Sequence, residues 1–365
     1  MWYLFVISAV LFIFSLNMTT SINKCKTKKV GVISLDNAKY VFVFLLLLFL
    51  TMFRGENIGN DTKSYMYYFQ VIGNNGVTSA INFEYGYQYF NLIISNISKD
   101  PRAIIIATSL LSYFIFGIYY FRKCKSPFLA IVMFYTLFFS MFTNVIRMVC
   151  SISLILWAYD SIENKKIIRT VFFMTMAILF HTTSIVFIPF LFISYFDIKL
   201  SKKIFTVFSL VFAFFCLASD YILIIVTKIV GSYGGRFSNS SYMTSSRTET
   251  GFFGILLSLI VLGAIYFCYS KLVEKNKQKE STKWLFAFSC LFFILSFVMN
   301  LFDRLADVFL FVLIVPVVNE IMESNKKNKK ILLISLISFL LIIFLMKIVL
   351  RPEWNNLYPY LFMWN

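Results

Sequence analysis

Residues 40–53 read "YVFVFLLLLFLTMF" and contain no charged side chain. Residues 331–345, "ILLISLISFLLIIFL", have the same character. A helix of a soluble protein keeps a polar face toward water, and neither stretch offers one. Stretches of this kind are typical of helices that cross a bilayer. We therefore predict an all-α fold: a polytopic integral membrane protein in which residues 1–365 form a single transmembrane domain.

The composition agrees with a membrane protein. Apolar residues make up 59% of the chain, phenylalanine alone supplies 45 residues, and the mean hydropathy is +0.79. The net charge of +17 would suit nucleic acid, but basic loops also orient membrane proteins, so we expect no nucleic-acid partner. One histidine, no paired-cysteine motif and no Gly-rich phosphate loop lead us to expect no metal and no cofactor.

Polar breaks divide the chain into about twelve predicted spans. The breaks are short runs of charged and small polar residues, which commonly end helices. The expected limits are 1–17, 40–53, 103–121, 127–143, 146–160, 167–181, 183–196, 204–230, 251–270, 284–301, 305–321 and 330–349.

Six of the connectors between these spans are rich in lysine. Basic residues in short loops mark the cytoplasmic side of a membrane, so we predict that all six are cytoplasmic. They are 19–39, 122–126, 161–169, 197–203, 271–283 and 322–330.

Arginine is distributed differently from lysine. Only Arg122 and Arg169 fall in the six connectors. The planar guanidinium suits bidentate recognition of phosphate or carboxylate, so we expect the outer face to bind an anion. The arginines assigned to that face are Arg54, Arg102, Arg147, Arg236, Arg247, Arg304 and Arg351.

Residues 84–98, "EYGYQYFNLIISNIS", resemble a short span. If they crossed the membrane, the basic residues at 122–125 and every later connector would change sides. We therefore predict an external interfacial or re-entrant segment. Tyr85, Tyr87 and Tyr89 suit such a position, because aromatic rings with polar tips are enriched at the interface.

The external segment 54–86 is the first candidate substrate surface. Asp61, Tyr65 and Tyr68 are spaced so that a helix would align them on one face. Aromatic rings beside charged groups suit a sugar, whose CH faces stack on rings while its hydroxyls form hydrogen bonds. An ordinary polar external loop is the alternative. The residues considered for binding or catalysis are Arg54, Asp61, Tyr65, Glu84 and Tyr87.

Arg147 and His181 are expected at the outer ends of spans. In "FTNVIRMVC", residues 142–150, a continuous helix would place Asn144, Arg147 and Ser151 on one face. A charged side chain within a membrane is costly and usually functional, although an interfacial arginine that reaches to water is the alternative. His181 could act as acid, base or hydrogen-bond donor, or serve only in packing.

Two further stretches carry charged side chains that could contact a substrate. The Gly- and Ser-rich loop at 231–250 is expected to be external, and loops 54–102 and 231–250 together would form the substrate face. "NLFDRLADVF", residues 300–309, lies between two predicted spans. Binding roles are expected for Arg236, Arg247, Asp303 and Arg304, with solvated or mutually paired charges as the alternative.

The order of these features resembles the EpsG-type branch of the Wzy polysaccharide polymerases of bacteria. The likeness covers about residues 40–200 and departs only slightly from the family pattern, at "GND" and "RMVCS". The matching stretches are "FRGENIGNDTKSYMYYF", "FEYGYQYFNLIIS", "FTNVIRMVCSISLILWAYDSIENKK" and "AILFHTTSIVFIP". The residues that match the family pattern are Arg54, Gly59, Asp61, Tyr65, Glu84, Gly86, Tyr87, Arg147, Phe180, His181 and Ser184.

This resemblance implies a glycosyltransferase of the bacterial cytoplasmic membrane, with its active site facing the periplasm or the exterior. Such enzymes join oligosaccharide repeat units carried on undecaprenyl pyrophosphate, and so build O-antigen, capsule or exopolysaccharide. Arg147 would stabilise the departing pyrophosphate. His181, Asp61 or Glu84 would accept the proton of the acceptor hydroxyl, and the sequence does not rank them. A chain-length regulator and a flippase are candidate partners.

Two alternatives belong to other classes. A lipid-linked oligosaccharide flippase would place charges near the middle of the bilayer and often has paired halves, and neither pattern is evident here. An O-antigen ligase would use similar chemistry with a different acceptor.

Overall fold

The computed structural model describes residues 2–16, 34–78, 80–81, 83–201, 203–204, 206–207, 210, 251–297, 301–325 and 328–364. Within these residues the chain is helical, and its only β-type pairing is an isolated antiparallel bridge between Arg54 and Phe362. We number the α-helices of the described residues α1 to α13. They are Tyr3–Leu16, Leu35–Met52, Thr62–Asn75, Tyr85–Ile97, Arg102–Lys123, Pro127–Asn144, Ile146–Glu163, Ile167–Phe180, Ile188–Tyr195, Gly251–Leu272, Glu280–Leu295, Leu301–Glu323 and Lys329–Leu350.

Six helices are long and apolar enough to cross a membrane, which supports a multi-pass membrane protein. The count of about twelve spans is not reached within the described residues. Helices α1 and α8 have 14 residues each, and α9 has 8. At 1.5 Å per residue, each is shorter than the roughly 30 Å hydrocarbon core. Most of the predicted span 204–230 lies outside the described residues.

The expected single domain contains two compact units, which we describe separately. The first comprises Met1–Ile185, Cys268–Lys277 and Ile314–Asn365. The second comprises Val186–Phe267 and Gln278–Leu313.

One end of the first unit gathers lysines, as the charge pattern predicts. Lys123 pairs with Asp160 at 2.9 Å, and Lys125 pairs with Glu323 at 2.7 Å. Lys277 donates to the backbone carbonyl of Glu323 at 3.1 Å. Segments from three of the six connectors, and the residue just before a fourth, therefore meet at one end, which we call the lysine end.

The opposite end of this unit, which we call the arginine end, holds Arg54, Arg147 and Arg351. Asn144, the last residue of α6, binds the residue that precedes α3 and also binds the segment after α13. Its Oδ1 accepts from the backbone N–H of Asp61 at 3.2 Å, and its Nδ2 donates to Oδ1 of Asn355 at 3.3 Å.

Residues 84–98 do not pass from one end to the other. Helix α4 occupies Tyr85–Ile97, and its 13 residues span only about 20 Å. Helix α2 ends at Met52 at the arginine end, and α5 starts at Arg102 and reaches the lysine end at Lys123. The chain between α2 and α5 thus leaves and returns at the arginine end, in agreement with the predicted non-crossing segment.

In the described part of the second unit, stacked phenylalanines form the packing core. The rings of Phe288 and Phe309 are 4.8 Å apart and nearly parallel, and Phe292 lies 5.5 Å from Phe309. Trp284 Nε1 donates to the carbonyl of Ile198 at 2.8 Å and ties α11 to the segment after α9.

Candidate functional site

The site begins at a break between two helices. Helix α6 ends at Asn144 and α7 begins at Ile146, and Val145 between them has a non-helical backbone (φ −99°, ψ 63°). Arg147 therefore lies in the first turn of α7. We expected Asn144 and Arg147 to lie on one face of a continuous helix. This expectation is wrong, because the break at Val145 places Asn144 at the end of α6. Ser151, one turn after Arg147, donates to the carbonyl of Ala177 at 2.7 Å.

Glu84 immediately precedes α4, and its carboxylate binds other elements instead of capping its own helix. Oε2 forms an ion pair with Nη1 of Arg147. Oε1 accepts from Nδ1 of His181 at 2.9 Å and from the backbone N–H of Thr182 at 3.1 Å. We call Glu84, Arg147 and His181 the Glu84 cluster.

Two backbone features bring Glu84 and His181 together. At the end of α8 the chain turns to an extended conformation at His181, whose N–H still donates to Ala177 at 2.9 Å. Gly86 lies against the end of α8, where an added Cβ would come within 2.6 Å of the carbonyl oxygen of Leu179. Only glycine permits this approach of the two helices.

The Glu84 cluster is a charged group that is mostly withdrawn from water. Burial raises the pKa of Glu84, but the hydrogen bond from His181 and the charge of Arg147 outweigh it and lower that pKa to about 2. Glu84 is therefore ionised at neutral pH and can only accept hydrogen bonds, so Nδ1 of His181 carries the proton. The side chains of Arg147, Glu84 and His181 keep exposed fractions of 19%, 13% and 11%, which leaves an edge accessible.

Aromatic side chains hold the guanidinium of Arg147 from its other sides. Its Cζ lies 4.3 Å above the centre of the Phe83 ring, a cation–π contact. The side chain of Tyr65 is hydrogen-bonded to it. Within the described residues, no group accepts a hydrogen bond from Nε of Arg147.

The predicted alignment of Tyr65 and Tyr68 on α3 is confirmed, since both rings contact Phe83, at 5.8 and 4.9 Å between centres. The interfacial position expected for Tyr87 is wrong. Its ring is fully buried beside Tyr65 and Phe180, because α4 turns this residue inward. Its neighbours two positions away, Tyr85 and Tyr89, are exposed as expected.

Arg54 is enclosed, with 4% of its surface exposed. Its Nη1 donates to the carbonyl of Thr51 at 2.5 Å, and its Nε donates to the hydroxyl of Thr62 at 3.3 Å. Burial lowers its pKa to about 10, so it remains charged at neutral pH. These contacts hold the loop after α2 against the start of α3. Asp61 immediately precedes the same helix that carries Tyr65, and its side chain makes no capping hydrogen bond there.

The remaining predicted residues lie elsewhere. Arg236 and Arg247, with loop 231–250, are outside the described residues. Asp303 and Arg304 belong to the second unit, in the first turn of α12, where Oδ1 of Asp303 accepts from the backbone N–H of Arg304. In the described ranges, no group of three or more His, Cys, Asp or Glu side chains could hold a metal ion.

Two contacts of the site were not predicted from the sequence. Phe83 stacks on Arg147, and Thr182 donates to Glu84. Phe83 and Thr182 are each next in the chain to a predicted site residue, Glu84 and His181 respectively. That proximity is the only feature of the sequence that could have indicated these contacts.

Comparison with known proteins extends the resemblance seen in the sequence. No curated protein and no solved structure matches the chain. The sequence model of the EpsG family matches residues 37–362, and so extends beyond residues 40–200, which carry the resemblance in the sequence. With a match over most of its length, the chain belongs to the EpsG family, a family of Wzy-like polysaccharide polymerases.

Proposed function

We propose that this protein polymerises oligosaccharide repeat units carried on undecaprenyl pyrophosphate, at the outer face of the bacterial cytoplasmic membrane. The observation that carries the proposal is the Glu84 carboxylate, which holds Arg147 and His181 side by side at the arginine end. A cation for a leaving pyrophosphate and a base for an acceptor hydroxyl are the two groups this transfer requires.

Arg147 is the group proposed to bind the pyrophosphate. A guanidinium has five N–H donors, and the guanidinium of Arg147 already forms hydrogen bonds with Glu84 and Tyr65. Its Nε has no acceptor among the described residues but is buried, so a phosphate oxygen would bind at the part of the side chain that is accessible, which is 19% exposed. The ring of Phe83 and the ion pair with Glu84 fix the guanidinium plane, which reduces the reorganisation needed when the anion arrives.

His181 is the proposed general base. Because its Nδ1 proton is held by Glu84, Nε2 is the nitrogen that can accept a proton. Glu84 itself, with a pKa of about 2, is a weak base at neutral pH, so its proposed role is to orient the other two residues. Asp61 at the start of α3 is the alternative base.

The transfer then balances in charge and atoms. The acceptor hydroxyl oxygen forms a bond to the anomeric carbon of the donor sugar, and its proton moves to Nε2 of His181. The bond from that carbon to the pyrophosphate oxygen breaks, and undecaprenyl pyrophosphate leaves with the electron pair. As His181 becomes positive, the Glu84 cluster gains one positive charge at the moment the leaving group becomes negative.

The test is deletion of the gene in its host, with surface polysaccharide separated on a gel. We expect single repeat units without a ladder, and a full ladder when the wild-type gene is returned. Arg147→Ala and His181→Ala should reach the membrane but reduce chain growth at least about a hundredfold. Arg169→Ala, which removes an arginine from the lysine end, is the matched control and should restore the ladder.

Other outcomes would contradict the proposal. An unchanged ladder in the deletion strain would reject a polymerase. Loss of even single units from the surface would indicate export by a flippase or attachment by a ligase. Full ladders from both cluster variants would remove the roles given to Arg147 and His181.

A further inference from the structure

A polar cavity that is open to solvent lies at the arginine end of the first unit. Its volume is about 340 Å³, within the range of small-molecule sites, and it lies between the loop after α2 and the segment after α13. We call it the tail cavity. The polar and aromatic side chains that line it are Glu56, Asn57, Asn60, Lys63, Asn356 and Tyr358.

The two walls of the tail cavity are joined by hydrogen bonds. The backbone N–H of Gly55 donates to the carbonyl of Leu361 at 2.9 Å, and that of Met363 donates to the carbonyl of Phe53 at 3.0 Å. Across the cavity, Nδ2 of Asn356 donates to Oδ1 of Asn60 at 2.7 Å. The cavity is therefore formed by the fold itself and not by an accidental gap between loose loops.

The chemistry of the tail cavity selects an uncharged, hydroxyl-rich ligand. Its three asparagine amides carry both donors and acceptors, as sugar hydroxyls do, and two of them, Asn60 and Asn356, already bond to each other. Tyr358 adds an aromatic ring on which a sugar CH face can stack. The two charges that line the cavity neutralise each other, since Lys63 lies 3.5 Å from Glu56. A phosphate would meet no net positive charge there.

The tail cavity is connected to the Glu84 cluster through the end of α6. Asn144 binds the backbone of Asp61 on the loop side and the side chain of Asn355 on the tail side. Arg147 follows only three positions later, after the break at Val145. The loop also rests on α6 at Gly59, whose φ of +79° and contact with the carbonyl of Thr143 leave no room for a side chain.

We propose that the tail cavity binds a neutral sugar of the lipid-linked oligosaccharide and thereby contributes to repeat-unit specificity. This inference rests on the proposed function. Arg147 and His181 act on the pyrophosphate and the reacting hydroxyl, while the tail cavity holds a sugar that does not react. Such remote binding lowers the substrate concentration needed and leaves the rate of the chemical step nearly unchanged.

The experiment uses membranes that contain the full chain, and lipid-linked repeat units extracted from the deletion strain. Polymerisation rate is measured against the concentration of these units. Asn57→Trp fills the cavity and Asn57→Ala removes one amide, and neither breaks the loop–tail bonds described above. Asn96→Ala, an exposed amide of α4 outside the cavity, is the matched control.

We expect Asn57→Ala to raise KM about three- to tenfold, as for loss of one or two neutral hydrogen bonds, and Asn57→Trp to raise it further. kcat should stay within about twofold of wild type, and Asn96→Ala should match wild type in both constants. An unchanged KM in both Asn57 variants, or a fall in kcat alone, would overturn the proposal. If the wild-type protein forms no polymer from these units, it is the proposed function that fails.

Discussion

The two ends of helix α7 each carry an ion pair, and the pairs differ in what surrounds them. At one end, Arg147 meets Glu84, which also binds His181 and Thr182. At the other, about 20 Å away along the helix, Asp160 meets only Lys123, at 2.9 Å, among the ion pairs of the described residues. The side chains of the first pair are 19% and 13% exposed, and Lys123 and Asp160 are 38% and 23% exposed.

Exposure to solvent determines how much each ion pair contributes to stability. Exposed pairs typically contribute about 0–1 kcal/mol, because water screens the charges and the long side chains lose freedom. Removing one partner of a buried pair costs about 3–5 kcal/mol, since the other charge is left without compensation. A buried pair therefore fixes side-chain positions more strongly than an exposed pair does.

The largest effect is expected from Glu84→Gln, which keeps the shape of the side chain and removes its charge. Arg147 would lose its counter-ion and His181 its charged hydrogen-bond acceptor. We expect the free energy of unfolding to fall by about 3 kcal/mol, and chain growth to fall with it. SDS titration of the protein in mixed micelles measures the free energy of unfolding, and the polysaccharide gel measures chain growth.

Glu353→Gln is the matched control, because Glu353 faces Arg351 at 3.8 Å in a pair that is about half exposed at the same end. It should change the free energy of unfolding by less than about 1 kcal/mol. Equal effects of the two Gln variants would show that burial is not what distinguishes the Glu84 cluster.

A smaller effect is expected when the free energies of unfolding of wild type and Glu84→Gln are compared as a function of pH. A carboxyl whose pKa is lowered on folding stabilises the protein above its ordinary pKa, and loses that contribution as pH falls through the lowered value. For Glu84 the two values are 4.5 and about 2. The stability difference between wild type and Glu84→Gln should persist from pH 7 to about 4.5, then shrink toward pH 2. A difference already lost at pH 5 would contradict the low pKa.

The smallest effect is expected at the lysine end. Asp160→Asn removes the charge that faces Lys123 and should change the free energy of unfolding by less than about 1 kcal/mol. The ladder on the polysaccharide gel should keep its full length. A cost as large as that of Glu84→Gln would mean that the exposed pair is as important to the fold as the buried one.

The helices near the site could be predicted closely from the sequence. Predicted spans 127–143 and 146–160 correspond to helices Pro127–Asn144 and Ile146–Glu163. Apolar runs and polar breaks are local signals, and they determine where helices start and end. That residues 84–98 do not cross from one end of the unit to the other was also predictable, because the charge pattern constrains the whole path of the chain.

The contacts that bring Glu84, Arg147 and His181 together could not be predicted from such local signals. Glu84 lies 63 positions from Arg147 and 97 from His181, so their contact depends on how α4, α7 and α8 pack. Spacing along the chain also misplaced Tyr87, whose neighbours face outward while it faces the core. The pairing of the tail with the loop at Phe53 and Gly55 was not predictable either, because it joins segments that are far apart in the sequence.

The attachment of that tail has a practical consequence for work on membrane topology. Because residues 355–363 are bonded to the loop after α2 and to Asn144, they occupy the same end of the first unit as Arg147. A reporter fused directly after Asn365, such as alkaline phosphatase or a fluorescent protein, would therefore read which compartment the Glu84 cluster faces. One fusion, without insertion into any internal loop, would show on which side of the membrane the Glu84 cluster lies.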